Sequence, residues 1–299
     1  MGVRGLLSWL KPYAKTIRAS ELVAPPMRRI AIDISYYLYK WQGDKQKILA
    51  FLQTFQNAGH RVLLTFDGRA ADGKQWEAQR RRTVRDDAQT KATALFLELD
   101  TNKDLTDEQR RHVQREANEQ QRLGWRLTKE IRNEVKHLLY EHKIPMLKAE
   151  TEADGLLAAL SVRKDVDVVI SGDMDVFAMG ARIQYVPIGD GTEFLVFERE
   201  PILQELGLTD YQFRSMCAMC FTEMREKEEY LDIRQAYQGM RVFRSFDALK
   251  QKHPEWLQVW PDENHIFYHS LDTLNEWLRE DQFSVYECFR DGKPMPYTE

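Results

Sequence analysis

Apolar residues are arranged in two ways along this chain. Short unbroken runs, RIAIDI at 29–34, RVLLTFD at 61–67 and VDVVI at 166–170, have the length and composition of strands buried on both faces. Between them the pattern changes. YYLYKW and a periodic stretch through Gln56 read as helix. Residues 74–138 read as long, polar, charged helix, broken near TNKDLTDEQ, where Thr106 caps a new helix and Gln109 closes a capping box. HKIPMLKAE reads as a strand entering a helix start, and EADGLLAALSV as that helix. RIQYVPIG and EFLVFE read as two strands around a GDG turn, and the chain from Pro201 onward is mostly helical. Strands alternating with helices predict an α/β fold, a mostly parallel central sheet flanked by helices.

Composition narrows this only a little. Of 299 residues, 43% are hydrophobic, enough for one large domain or two modest ones. Charged residues make up 30% and the formal net charge is −4, so no global electrostatic grip on nucleic acid is indicated, although a local basic patch is compatible with it. Three cysteines are too few for a disulfide framework and point to a reducing, intracellular setting. No apolar run approaches the roughly 18 residues of a membrane span. The opening MGVRGLLSWLKP starts like a myristoylation site but has Leu6 where a hydroxyl residue is expected.

The chemistry lies in the acids. Asp33, Asp67 and Asp173 stand at or near the ends of apolar strands, Asp175 lies two residues beyond Asp173, and Glu152 and Asp154 open a helix after a strand. In open α/β sheets, sites collect at the carboxyl ends of strands. Any one of these acids alone reads as a turn or cap residue. Together they would raise one another's pKa unless a cation balanced them. An oxygen-only donor set without His or Cys suits Mg²⁺ or Mn²⁺, and two such ions favour in-line phosphoryl displacement. In the DxD and ExD pairs, alternate residues project together if the backbone is locally extended. A carboxylate-rich but inert α/β domain is the competing reading.

Several blocks, in order, resemble the flap-endonuclease/XPG-type nucleases over about residues 1–250. These are MGVRGLLSWLKP, AIDISYYLYKW, TFDGRAADGKQWEAQRRRTVR, ETEADGLLAAL, ISGDMDVFAMG and ILQELGLTDYQFRSMCAMC. The resemblance implies a nuclease core with a helical arch and a C-terminal helical region. It divides the chain into 1–105, an N-terminal nuclease region with the start of the arch, 106–200, the arch remainder and internal nuclease region, and 201–299, a helical region with a degenerate helix–hairpin–helix and a cap. It implies a structure-specific endonuclease or 5′-exonuclease using two Mg²⁺ (or Mn²⁺). It places metal ligands at Asp33, Asp67, Glu152, Asp154, Asp173 and Asp175, with Glu223 where the family has an aspartate. Lys74 and Arg81 match a basic pair that faces the scissile phosphate, Tyr39 an aromatic that stacks on a base, and Gly2 a small residue beside the site. Arg80, Arg82, Arg85 and Arg234 are expected to meet nucleic acid, and residues 86–130 to complete the arch. The partner implied is DNA as a 5′-flap, junction or single strand, with RNA as the alternative, and the setting a nucleus in a eukaryote, or a virus.

The sequence also departs from that pattern. A gapless continuation from Glu223 puts Tyr230, Leu231 and Asp232 where the family has the Gly-Ile-Gly of its hairpin, so both glycines that let backbone approach a phosphate are absent. This leaves open a binding or scaffold protein on the same fold. Cys217 and Cys220 form a CxxC on an apolar helix and read as packing. Gln282–Phe289, QFSVYECF, loosely resembles a sliding-clamp-binding peptide. Trp256, Trp260 and Trp277 read as packing of the C-terminal helices.

Overall fold

The computed structural model describes residues 3–23, 26–69, 75–220, 231–244, 246–253 and 274–292. Its centre is a sheet of seven strands: β1 (Lys15–Arg18), β2 (Arg29–Asp33), β3 (Arg61–Phe66), β4 (Met146–Lys148), β5 (Val168–Ile170), β6 (Ile183–Ile188) and β7 (Glu193–Glu198). The order is β1-β7-β6-β5-β2-β3-β4. The pairs β2–β3, β2–β5, β3–β4 and β5–β6 are parallel, and β6–β7 and β1–β7 are antiparallel. The mostly parallel sheet and the hairpin about Gly189 and Gly191, both at positive φ, follow the sequence pattern. Strand β1 does not announce itself there. Its KTIR is almost wholly exposed, so the strand is held by edge pairing to β7 and not by an apolar run.

Helices cover both faces. On one lie α2 (Ile34–Lys40), α3 (Lys45–Asn57) and α6 (Lys129–Glu141), whose Tyr37, Phe51, Phe55, Val135 and Leu139 bury against Ile30, Ile32 and Leu64. On the other, α1 (Leu6–Leu10), α7 (Ala153–Val162), α8 (Asp175–Ala178), α9 (Arg199–Leu206), α10 (Asp210–Met219) and α11 (Ile233–Phe243) share a core with Ala31, Leu63 and Val169. The single helix expected through Gln56 is two. Gln42 and Gly43 both take positive φ and turn the chain between α2 and α3. Cys217 and Cys220 are buried in the second core, as packing requires.

Helices α4 (Gln75–Thr101) and α5 (Asp107–Gly124) pair as a long hairpin. Its break falls as the sequence predicts: Thr106 and Gln109 form a reciprocal capping box. The polar sequence leaves little to bury, and the buried positions are mostly small: Ala88, Ala92, Leu99, Ala117 and Gly124. Lys91 pairs with Glu116 at 2.8 Å, and Arg126 pairs with Asp86.

The C-terminal end returns to the sheet. Helix α12 (Phe246–Lys252) is followed, after undescribed residues, by a turn at Leu274–Glu276 and by α13 (Phe283–Asp291), which packs on β3 and β4. This corrects the reading of Gln282–Phe289 as a clamp-binding peptide. Gln282 Oε1 accepts the Lys148 backbone N–H at 2.8 Å, and Tyr286 and Phe289 are buried. The segment closes an exposed sheet edge, so its anchor residues face inward. Trp277 is buried as expected, with its ring against Gly155 of α7.

Candidate metal and nucleic-acid site

The parallel strands end together, and the acids collect there. Asp33 closes β2 and caps α2: its Oδ1 accepts the Ser35 N–H at 2.9 Å, and its Oδ2 accepts from Ser171 Oγ at 3.4 Å. Asp67, one residue past β3, accepts from Ser35 Oγ at 2.7 Å and from the Ala153 N–H at 3.1 Å. That second bond ties the end of β3 to the first turn of α7, where Asp154 sits. Glu152 is the N-cap residue of α7 and uses no side-chain oxygen to cap it. Beyond β5, Ser171 Oγ accepts the Asp173 N–H at 3.1 Å, and Asp173 Oδ1 accepts the Asp175 N–H at 3.0 Å. Asp175 is buried and accepts the Val3 N–H at 2.8 Å.

The DxD pair corrects one expectation. The backbone is not extended there. Met174 has φ −77° and ψ −6°, and Asp175 already begins α8. The acids are brought together by a turn at a strand end running into a helix, with Asp173 satisfying the N–H of Asp175.

The acids act on one another electrostatically. Burial pushes the Asp33 carboxyl up to about 7, helped by Asp67 and Asp173 and opposed by the bonds from Ser35 and Ser171. Asp154 is pushed well above the usual carboxylate range, first by burial and then by Asp173, Asp33, Asp175 and Asp67. The strongest influences raising both are burial and other carboxylates. Such a site is short of positive charge, and its donors are hard oxygens only, which fits Mg²⁺ or Mn²⁺. As arranged, however, no group of three acids among the described residues is gathered tightly enough to enclose an ion. Each of Asp33, Asp67, Asp173 and Asp175 spends at least one oxygen on an N–H or O–H of the chain.

The other expected residues divide. Gly2, Lys74 and Glu223 lie outside the described residues. Tyr39, on α2, is exposed and stands at the foot of the hairpin. The Arg85 guanidinium lies 5.1 Å from its ring centroid, and Trp125 meets it edge-on at 5.7 Å. Arg81 is half-buried on α4, and Arg80 and Arg82 are exposed there. Asp232 caps α11: it accepts the Arg234 N–H at 2.9 Å, and Gln235 Oε1 accepts the Asp232 N–H at 3.1 Å. Arg234 is exposed in that first turn. Sequence reasoning missed Ser35, Ser171 and Val3, which hold Asp67, Asp33 and Asp175. The only signal was a hydroxyl two residues from an acid, a spacing common in ordinary turns.

Residues 143–223 match the XPG I-region family, a span that includes Glu152, Asp154, Asp173 and Asp175. The chain is 27% identical over 244 residues to the flap endonuclease 1 of Zea mays, covering 74% of this chain and 61% of that protein. To the flap endonuclease 1 of Mus musculus it is 24% identical over 286 residues, covering 86% and 72%. It spans about three fifths of the length of the plant relatives. Among solved structures it is similar to the catalytic core of Rad2, with TM-score 0.58 at 18% identity over 97% of this chain and 85% of that one. It is also similar to flap endonuclease-1 from Methanococcus jannaschii, with TM-score 0.52 at 15% identity over 98% of each.

Proposed function

We propose, from its similarity in sequence to flap endonucleases and in fold to the catalytic core of Rad2, that the chain is a divalent-metal-dependent nuclease hydrolysing phosphodiester bonds of flap, junction or other structured DNA, in repair or replication. The observation that carries this is the meeting of Asp33, Asp67, Asp154, Asp173 and Asp175 at the carboxyl ends of the parallel strands, where burial and mutual repulsion hold Asp33 near 7 and push Asp154 well above the usual carboxylate range. Two Mg²⁺ ions would be held by these aspartates with Glu152, and with Glu223 beyond the described residues. The chemistry they supply when bound is activation of a water and neutralisation of charge building on the phosphoryl oxygens. The chain's own part is positional. Ser35 and Ser171 hold Asp67 and Asp33 in place. Arg81 on α4 would meet the scissile phosphate and stabilise the charge that develops on it, a role the sequence resemblance also assigns to Lys74, outside the described residues. Tyr39 supports a base beside the cut once Arg85 and Trp125 yield its ring.

The test is a panel of end-labelled 5′-flap, junction, single-stranded and RNA substrates incubated with Mg²⁺, with Asp173→Ala as control. Cleavage by the wild type and not by the variant supports the reading. Identical trace activity in both refutes it, and cleavage of RNA alone would redirect the substrate class.

One observation favours a second reading, a nucleic-acid-binding or scaffold protein on this fold. At α11 the leading N–H groups are satisfied by Asp232 of the chain itself, so that helix start is closed to a phosphate. Affinity for DNA without Mg²⁺-dependent turnover would decide for it.

A further inference from the structure

The corner of the sheet beside Asp67 carries a group of cations that the acidic site does not use. Phe66 on β3 and Lys148 on β4 are register partners in a parallel pair, so their side chains leave the sheet on the same face. Helix α6 crosses that face. Its Val135 and Leu139 bury in the core, which brings Lys136 over the Phe66 ring with Nζ 4.8 Å from the centroid. Arg132 stands one turn earlier on the same side of α6. Neither Arg132, Lys136 nor Lys148 forms an ion pair with any acid among the described residues. Arg279, the fourth cation near Lys136, pairs with Asp281 at 2.9 Å. Lys136 is half-buried, and its ammonium is held below the usual lysine range, first by burial and then by Lys148, Arg132 and Arg279.

Three unneutralised cations on one small face repel one another and contribute nothing to folding by pairing. Their position gives them a use. Phe66 immediately precedes Asp67, so the group begins one residue from the carboxylate cluster and runs outward along the β3–β4 edge and α6. A polyanion whose scissile phosphate sits at the acids would leave the site across these residues. Its phosphates would supply the charge that the protein withholds.

We propose that Lys136, Lys148 and Arg132 form a phosphate-binding track for the nucleic-acid strand leaving the carboxylate site along the β3–β4 edge. The track rests on the nuclease reading for its substrate and adds a contact surface to it. The contacts are to backbone phosphate, so they would be indifferent to base sequence and sensitive to salt.

The test is a Lys136→Gln/Lys148→Gln double variant of the full chain, with Lys148→Arg as the charge-retaining control. Binding of a fluorescein-labelled 5′-flap DNA is followed by anisotropy in EDTA, where no turnover occurs, across a salt series. Each phosphate contact contributes about 0.7 to 0.9 to the log–log salt slope, so losing two lowers the slope by roughly 1.4 to 1.8 and weakens binding about tenfold or more at 0.1 M salt. Lys148→Arg should bind like the wild type. The melting temperature of the double variant should hold or rise, because repulsion is relieved; a pair of merely structural lysines would instead lower it. Cleavage in Mg²⁺ at saturating DNA should keep its kcat, with the loss confined to KM. An unchanged dissociation constant and salt slope, in a wild type that cleaves, overturns the track and leaves the nuclease reading standing. Weaker binding with an unchanged slope also overturns it. If the wild type binds DNA but does not cleave, the nuclease reading falls while the salt slopes still judge the track.

Discussion

Gly155→Ala should destabilise the chain, against the ordinary expectation for a helix. Gly155 lies inside α7, where alanine is usually favoured by about 1 kcal/mol. Here a Cβ would stand 2.0, 2.1 and 2.4 Å from three carbons of the Trp277 ring, where carbon–carbon contacts normally begin near 3.5 Å. The ring is buried and its residue is fixed at both sides. The Trp277 carbonyl accepts the Glu150 N–H at 3.2 Å, and Leu278 bridges to Ala149. It must therefore retreat by more than 1 Å from a close-packed seat. Burying an indole contributes about 4 to 6 kcal/mol, and overpacking costs about 1 to 3 kcal/mol. Set against the helix gain, a net loss of about 2 kcal/mol is expected. For a chain of 299 residues that lowers the melting temperature by about 3 °C. Scanning calorimetry or circular dichroism reads this directly. A double-mutant cycle isolates the contact: with Trp277→Leu already present, adding Gly155→Ala should be neutral or stabilising. If Gly155→Ala alone holds or raises the melting temperature, or if the two substitutions are additive, the ring is not seated on this glycine.

The remaining predictions concern the acids and the cap. Asp33 titrates near 7 in the folded chain and near 4 when unfolded, so without metal its burial costs nothing below pH 4 and up to about 4 kcal/mol once pH passes 7. The metal-free melting temperature should fall from pH 6 to pH 8, and the rise on adding Mg²⁺ should be larger at pH 8; equal rises at both would refute it. Ser35→Ala removes the donor at 2.7 Å from Asp67 and should weaken Mg²⁺ affinity by about tenfold to a hundredfold in calorimetric titration, with the fold retained. Asp232→Ala should lose about 1 kcal/mol of stability through its helix cap while leaving the affinity for DNA unchanged or raised, measured by denaturant melts and anisotropy.

The sheet was legible because burial on both faces leaves a plain trace: RIAID, RVLLTF and VVI are continuous apolar runs, and each became a parallel strand. The break between α4 and α5 was legible because a capping box is local chemistry. Strand β1 was not, since an edge strand held by main-chain bonds carries no required side-chain pattern. The acids could be picked out as a set, but their mode of assembly could not. That Asp67 reaches the Ala153 N–H and Asp175 the Val3 N–H are contacts over 86 and 172 residues, fixed by how strands and helices stack and by nothing local. Gln282–Phe289 misled for the same reason: an amphipathic segment looks alike whether its apolar face meets a partner or its own sheet edge.

Charge is distributed over the fold in a way that local motifs do not show. The net charge of −4 says little about binding, because acids and cations are segregated. Carboxylates crowd the carboxyl ends of β2, β3 and β5. Paired ions such as Lys91–Glu116 and Lys45–Glu134 decorate the hairpin and α3, where they neutralise each other. At the β3–β4 corner next to Asp67 stand cations without an ion pair among the described residues, while at α11 the chain spends Asp232 on its own backbone. A polyanion approaching the acidic site therefore meets attraction on the α6 side and a self-satisfied helix end on the α11 side. If the proposed track holds, this asymmetry would set a direction for the bound strand, and neutralising Lys136 and Lys148 would remove that direction without touching a carboxylate.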